Sequence, residues 1–323
     1  MTRSNLIRRF IPLALFFVFA PLQVHAEQSD YWLKKMADAV HKLNYDGYFV
    51  YLHDNSIESL RTVHSYENGR ESERLFSQNG EARELLRDED SVTRITPRKK
   101  HISTEKRPLN RRSFSSFFRL NAEEIGKNYQ LKFQGKERVA DRLANIIVFK
   151  PSDNLRYGYR VYMDDESGFP LQWEMFDSNQ ELVSSIMFTN ISIDKPESVA
   201  EDKTTIEKAA VAEHSTRTRS TSSLNNGWTF SEIPKGYSIK HFSTRRGPLQ
   251  DNKMQHFLFS DGLSSFSVYI EGSDKARLKG KAKLGALNAY GVFIDGYQLT
   301  AVGEVPLEAL VFIDLSRNKT DNP

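Results

Sequence analysis

Short β-like runs, most of them closed by turn signals, follow one another along most of this chain, and that succession leaves few architectures open. Runs at 48–52, 60–66, 74–77, 84–87 and 92–96 are rich in aromatic, β-branched and aliphatic residues, and others follow at 129–133, 146–150, 157–163, 171–176 and 182–191. Asn68-Gly69 and Asn79-Gly80 are strong hairpin signals, because Asn-Gly readily takes the positive φ angles of a type I′ turn. Residues 164–168 and 177–179 supply turns between the later runs. Helical spacing is confined to two places. Trp32, Leu33, Met36, Val40 and Leu43 share one face behind Asp30 as a candidate N-cap, and a short helix is expected at 121–127. About ten strands in simple succession predict an antiparallel sheet curled around helices.

Residues 195–226 break this texture. Large apolar side chains become rare and Ala, Thr, Ser and charges dominate, most densely in Ser215-Thr216-Arg217-Thr218-Arg219-Ser220-Thr221-Ser222-Ser223. Such a segment buries too little to offset its ordering entropy, so it reads as a polar linker, with a helical stretch open at 206–212. The chain then divides into a first domain at 27–194 and a smaller α+β domain at 227–323. In the second, strands are expected at 228–237, 239–244, 254–260, 264–271, 289–294 and 297–302. Turns fall at Pro234-Lys235-Gly236, Ser260-Asp261-Gly262 and Asp295-Gly296. Pro306 sits in the first turn of a last helix at 307–316, where proline costs least.

Residues 1–26 have the three parts of a secretory signal peptide. Arg3, Arg8 and Arg9 precede the uncharged apolar run 10–22, and Val24-His25-Ala26 is a small-x-small cleavage site. An apolar run of this length falls short of the roughly 20 residues that span a bilayer. The expectation is an exported, periplasmic protein cleaved after Ala26, with an uncleaved anchor as the rival. The segment holds three arginines and no acid, so the 45 basic and 42 acidic side chains of the whole chain become 42 of each after cleavage. The excess of positive charge therefore says little about partners, and only local charge matters. The chain has no cysteine, which removes disulfides, thiolate metal sites and thiol nucleophiles.

Catalytic signatures are missing: there is no GxSxG, HExxH, P-loop or GxGxxG after a strand. Gly280-Lys281-Ala282-Lys283-Leu284-Gly285 lacks phosphate-loop spacing and reads as a flexible basic loop. His41, His53, His64, His101, His214, His241 and His256 lack zinc-site spacing and read as surface or satisfied core histidines. Asp164-Asp165-Glu166 lacks the alternating ligands of a calcium loop and reads as a solvated turn. No enzyme, cofactor or metal site is expected.

Two features stand out. The strands of the first domain are rich in aromatics, and several carry apolar residues at consecutive positions, so both sheet faces meet apolar surroundings. Periodicity alone favours an ordinary two-sided core, with a ligand hollow as the alternative. The second feature is a basic cluster between Arg94 and Arg119, opposed only by Glu105 and interleaved with phenylalanines. Cations beside apolar rings suit an anionic amphiphile; a solvated loop with buried Phe anchors is the alternative. Candidate lipid contacts are Phe49, Tyr51, Phe76, Phe114, Phe117, Phe118, Tyr159 and Trp173. Candidate contacts to an anionic headgroup are Arg98, Lys99, Lys100, Arg107, Arg111 and Arg112. Nucleic acid could use the same chemistry, but export makes it an unsuitable partner.

Several strings resemble the RseB/MucB family of sigma-E regulatory proteins. They include Asp46-Gly47-Tyr48-Phe49-Val50-Tyr51, Arg83-Glu84-Leu85-Leu86-Arg87, Arg156-Tyr157-Gly158-Tyr159-Arg160-Val161 and Asp165-Glu166-Ser167-Gly168-Phe169-Pro170-Leu171. In the second domain they are Ile233-Pro234-Lys235-Gly236-Tyr237, the run from Phe259 through Ser260-Asp261-Gly262 to Val268, and Val302-Gly303-Glu304-Val305-Pro306. The resemblance covers essentially the whole chain beyond the signal. It implies an α+β protein: an N-terminal open half β-barrel enclosing helices, similar to the LolA/LolB carriers, followed by a smaller α+β domain. It also implies a negative regulator that binds the periplasmic domain of a membrane-anchored anti-sigma factor, shields it from site-1 proteolysis and is released by lipid or lipopolysaccharide. No short signature marks the anti-sigma contacts. A lipid or lipoprotein carrier without regulatory role is the alternative, and a homo-oligomer is left open.

Overall fold

Tyr45, Gly47, Phe49 and Tyr51 point to one side of strand β1 (Tyr45–His53), and Asp46, Tyr48 and Val50 to the other. That alternation sets the two faces of the larger sheet. A computed structural model describes residues 22–54, 56–88, 91–99, 101–106, 122–194, 228–246, 253–311 and 314–317. After β1 come β2 (Ser56–Glu67), β3 (Arg70–Ser77), β4 (Glu84–Arg87), β5 (Ser91–Thr96) and β6 (His101–Lys106), then β7 (Tyr129–Val139), β8 (Arg142–Pro151), β9 (Gly158–Asp164), β10 (Pro170–Phe176) and β11 (Leu182–Ile193). They form one eleven-stranded sheet in the order β6-β5-β4-β3-β2-β1-β11-β10-β9-β8-β7. Two antiparallel meanders are thus joined where β1 pairs with β11.

Strands β7 and β11 are four positions apart in this order, yet they also touch. A flat sheet would hold them about 19 Å apart at the ordinary interstrand spacing, so the sheet is strongly curled. Helix α1 (Leu22–Lys42) lies on one face with the short α2 (Ala122–Asn128) beside it. Leu33, Met36, Ala39 and Val40 of α1 pack with Tyr45, Phe49, Phe149, Phe169 and Phe188 in one buried cluster. The aromatic run of β1 therefore serves a helix-covered core on that face.

The second unit consists of β12 (Trp228–Glu232), β13 (Ser238–Arg246), β14 (Lys253–Ser260), β15 (Ser265–Gly272), β16 (Gly280–Leu284), β17 (Leu287–Ile294), β18 (Tyr297–Gly303), the one-turn helix α3 (Leu307–Val311) and β19 (Asp314–Arg317). Six strands order as β13-β14-β15-β18-β17-β16, and β12 pairs with β19. Phe257, Phe259, Phe266 and Val268 form its core with Trp228, Ala309 and Leu310. The protein is mostly antiparallel sheet, with few helices among the described residues.

Several sequence expectations need correction. Helix α1 runs through Asp30 back to Leu22. No proline or glycine lies between those two residues, so nothing there stops a helix, and Asp30 is no cap. Residues after Thr96, where no strand is expected before 129, form β6, and the expected basic loop at 280–285 is largely strand β16. Both are short, polar edge strands, and neither carries the run of apolar residues by which the other strands stand out. The last helix stops at Val311, because the chain beyond it pairs with β12 as β19. The strand expected at 228–237 ends at Glu232.

Most of the described turns obey residue chemistry. Asn68-Gly69 (φ 53° and 80°) and Asp295-Gly296 (φ 51° and 79°) take the type I′ angles. At Asn79-Gly80 only the glycine has positive φ. Asn79 instead reaches across to the start of β2, accepting a hydrogen bond from Ser59 N at 2.8 Å and donating to Ile57 O at 3.0 Å. Ala140-Asp141 makes a tight turn with positive φ at both residues, which the alanine does not announce.

Candidate binding face and interdomain joint

On the helix-covered face, aromatic side chains form two contacting groups within one core. Phe49 lies 5.3 Å from Phe188, which lies 5.3 Å from Phe169. Further along, Phe149 stands 6.0 Å from Trp173, Trp173 5.0 Å from Tyr159, and Tyr159 6.1 Å from Tyr129. Phe49 and Tyr159 are buried, while Trp173 and Tyr51 are half-buried at the margin of the core. Tyr51 stacks on His53 at 4.5 Å.

Phe76 is not with them. It pairs with Arg61, which pairs with Tyr48, so it stands on the opposite face, with the guanidinium of Arg74 at 5.0 Å and that of Arg61 at 5.9 Å from its ring. Asp46 holds Arg61 there through two hydrogen bonds of 2.9 and 2.6 Å. Arg98 is exposed in a 3-10 turn, Pro97–Lys99, between β5 and β6. The side chain of Lys99, and Lys100, Arg107, Arg111, Arg112, Phe114, Phe117 and Phe118, lie outside the described residues, as does the polar linker.

Where α1 ends, the same face turns polar. His64 is fully buried and stacks on Tyr45 at 4.6 Å. Its Nδ1 lies 2.8 Å from Leu43 O and its Nε2 3.3 Å from Glu71 Oε1, so both ring nitrogens face acceptors. Glu71 also meets His41 Nδ1 at 3.2 Å and Arg87 at 3.3 Å. Burial alone would raise the Glu71 carboxyl, but hydrogen bonds from His41 and His64 and the charge of Arg87 outweigh it and hold the group well below the usual carboxylate range. A depressed folded-state pKa contributes stability that is present above the unfolded value of about 4.3 and is lost as pH falls toward the folded one. Glu71→Gln is therefore expected to flatten the loss of stability below about pH 4.5, read as urea midpoints against pH. Parallel curves for parent and variant would remove Glu71 from the acid response.

The second group of rings ends at the contact between the two sheets. Tyr129 donates from its hydroxyl to Asp261 Oδ2 at 3.1 Å. Burial, with Tyr159 and the Asp261 charge, pushes the Tyr129 phenol far up, so it remains a donor. Arg156 Nε donates to the same Oδ2 at 2.7 Å, and neither side chain of this ion pair has any exposure. Asp261 Oδ1 meanwhile accepts from the backbone N–H groups of Leu263 and Ser264, which fixes its turn. Arg156 is held by Asp153 at 2.5 Å and by Lys235 O, and its guanidinium lies 4.8 Å from the Tyr237 ring.

Around this pair the contact is densely satisfied. Asn128 donates to Asp261 O at 3.2 Å, Tyr237 to Leu155 O at 3.3 Å, and Asn288 to Tyr157 Oη at 3.0 Å. Leu155 of the first unit packs into the core of the second, while Leu263 and Ala286 of the second pack against the core of the first. Gly236 has φ +83°, and a side chain there would run into Asn128 and Arg156. Asp164, expected in a solvated turn, is likewise buried: Arg142 grips it at 2.7 and 2.9 Å, and Ser167 closes the turn.

Sequence reasoning missed this joint as a site. Its residues were nevertheless visible, since Arg156-Tyr157, Pro234-Lys235-Gly236-Tyr237 and Ser260-Asp261-Gly262 all belong to strings that carry the family resemblance. Pro234-Lys235-Gly236 and Ser260-Asp261-Gly262 read as turns and Tyr157 as the start of a strand, because nothing local shows that they meet.

Fold and contacts define a two-unit, mostly antiparallel β protein whose units are joined by buried polar contacts. The family description MucB/RseB N-terminal domain matches residues 28–214, and MucB/RseB C-terminal domain matches residues 222–315. The chain belongs to the MucB/RseB family. Among its relatives are the sigma-E factor regulatory protein RseB of Haemophilus influenzae, 24% identical over 92% of both chains, and the sigma factor AlgU regulatory protein MucB of Pseudomonas aeruginosa, 25% identical over 92% of both. Similar solved structures include MucB in complex with MucA(peri) (TM-score 0.68, 21% identity, 90% of this chain and 100% of that one). The Pseudomonas aeruginosa MucA/MucB complex matches with a TM-score of 0.70 and 22% identity, over 91% of this chain and 100% of that one. At these identities the structures establish a shared fold.

Proposed function

We propose that this protein is an exported, periplasmic, non-enzymatic negative regulator of a sigma-E-type envelope response. It binds the periplasmic domain of a membrane-anchored anti-sigma factor and shields it from site-1 proteolysis. The observation that carries this reading is the match of both family domains, in order, along the chain, supported by relatives described as regulators of sigma factors. Among the described residues no helix is long and apolar enough to cross a membrane; cleavage after residue 26 is part of the proposal. The division into 27–194, a linker at 195–226 and 227–323 belongs to the same proposal. So does reading the curled sheet with α1 against it as an open half-barrel.

Release by lipid is the regulatory half of the reading. The aromatic groups and the basic residues around Arg98 would receive an amphiphile, and the contact of Tyr129 with Asp261 ties those rings to the second unit. If lipid and anti-sigma factor favour different arrangements, each weakens the other by the same factor, about 5- to 150-fold in typical cases. The test is a cleavage assay on the anti-sigma periplasmic domain. Saturating purified protein is expected to slow site-1 cleavage, and lipopolysaccharide to restore it. An unchanged cleavage rate would sink the regulatory reading; protection that lipopolysaccharide leaves intact would remove the lipid trigger alone.

A further inference from the structure

Strand β16 ends the six-stranded sheet, pairing with β17 on one side and with no described strand on the other. It therefore presents a row of backbone donors and acceptors along its free edge. Lys281 to Leu284 are all exposed, and Leu284, at 72%, is the most exposed large apolar residue described. From Gly272 to Ile294 the chain has one acid, Asp274, against Lys275, Arg277, Lys279, Lys281 and Lys283. Arg277 is engaged by Glu271 at 2.8 Å. The four lysines have no ion-pair partner among the described residues. Asp54 of the first unit lies against Gly285, just past the end of the strand.

The strand alternates. Lys281 and Lys283 lie on one face of it, and Ala282 and Leu284 on the other. Lysines on an edge normally guard against pairing with a second copy, and here they would set lysine against lysine if two β16 strands met. They present no obstacle to an acidic strand. Directly opposed residues on an added strand would stand about 5 Å away, within reach of an ion pair. The edge is thus closed to itself and open to one pattern: acidic residues at alternate positions facing the lysines, with aliphatic ones facing Ala282 and Leu284.

We infer that β16 is a docking edge for an extended peptide segment alternating acidic and aliphatic residues, added as a further strand of the sheet. This inference does not depend on the regulatory reading above. The probe is a fluorescently labelled short peptide alternating glutamate and valine, with a lysine–valine peptide as its control, titrated into purified protein and read by anisotropy. Binding of the acidic peptide alone is expected, with slower amide hydrogen exchange across β16. The exposed pair Lys281→Glu with Lys283→Glu should weaken it by roughly tenfold or more, and Lys281→Gln with Lys283→Gln by less. No binding, binding indifferent to the charge reversal, or binding without protection of the β16 amides would each overturn the inference.

Discussion

Asp261→Asn is expected to destabilise the folded protein by about 3 kcal/mol and to loosen the two sheets from one another. The substitution keeps the shape of the side chain, and its remaining oxygen can still cap the turn at Leu263 and Ser264. What it removes is the negative charge opposite Arg156, whose side chain is fully buried. Breaking one partner of a buried pair leaves the other charge uncompensated, which typically costs about 3–5 kcal/mol. Asp153 remains on Arg156, so the lower end applies. Urea unfolding followed through Trp32 and Trp173 against the first core and Trp228 in the second, each set read in variants lacking the other, should change from coincident to separate transitions. Adding Arg156→Met should recover much of the loss, because a well-packed apolar pair often matches a buried ion pair. A single transition with an unchanged midpoint would show that the pair does not hold the joint.

Phe188→Ala is expected to cost about 3–5 kcal/mol, measured as a lowered urea midpoint at unchanged m-value. The ring is 1% exposed and sits between Phe49 and Phe169. It also covers Gly47 on the neighbouring strand, where a Cβ would stand 2.7 Å from Phe188 Cε1. The glycine and the ring are therefore one packing unit. Gly47→Ala should destabilise the parent but cost distinctly less in the Phe188→Ala background, where the space has been vacated. Equal costs in both backgrounds would show that the ring does not decide the need for glycine.

Most strands were legible in sequence because their determinants are local. Asn68-Gly69 and Asp295-Gly296 carry their turn angles in their own chemistry, and β4 (Glu84–Arg87) falls where its residues alone place it. The edge strands β6 and β16 were not legible, since both are short and polar and neither carries an apolar run. The candidate site divided for a similar reason. Phe49 and Phe76 look equivalent as aromatics in strands, but register puts them on opposite faces. A shift of one residue exchanges the faces, and register is fixed between strands.

By itself the sequence determined the order and antiparallel character of the strands, the absence of thiol chemistry, the charge balance beyond residue 26 and the strings that mark the family. Each of these is carried by neighbouring residues or by composition. Only the tertiary structure decided that Arg156 meets Asp261 across 105 positions, that β1 joins β11 to make one sheet of two meanders, and that Lys281 and Lys283 lie on an edge strand. Such pairings depend on which buried charges and strand edges find one another when the chain closes on itself, and no local periodicity encodes that choice.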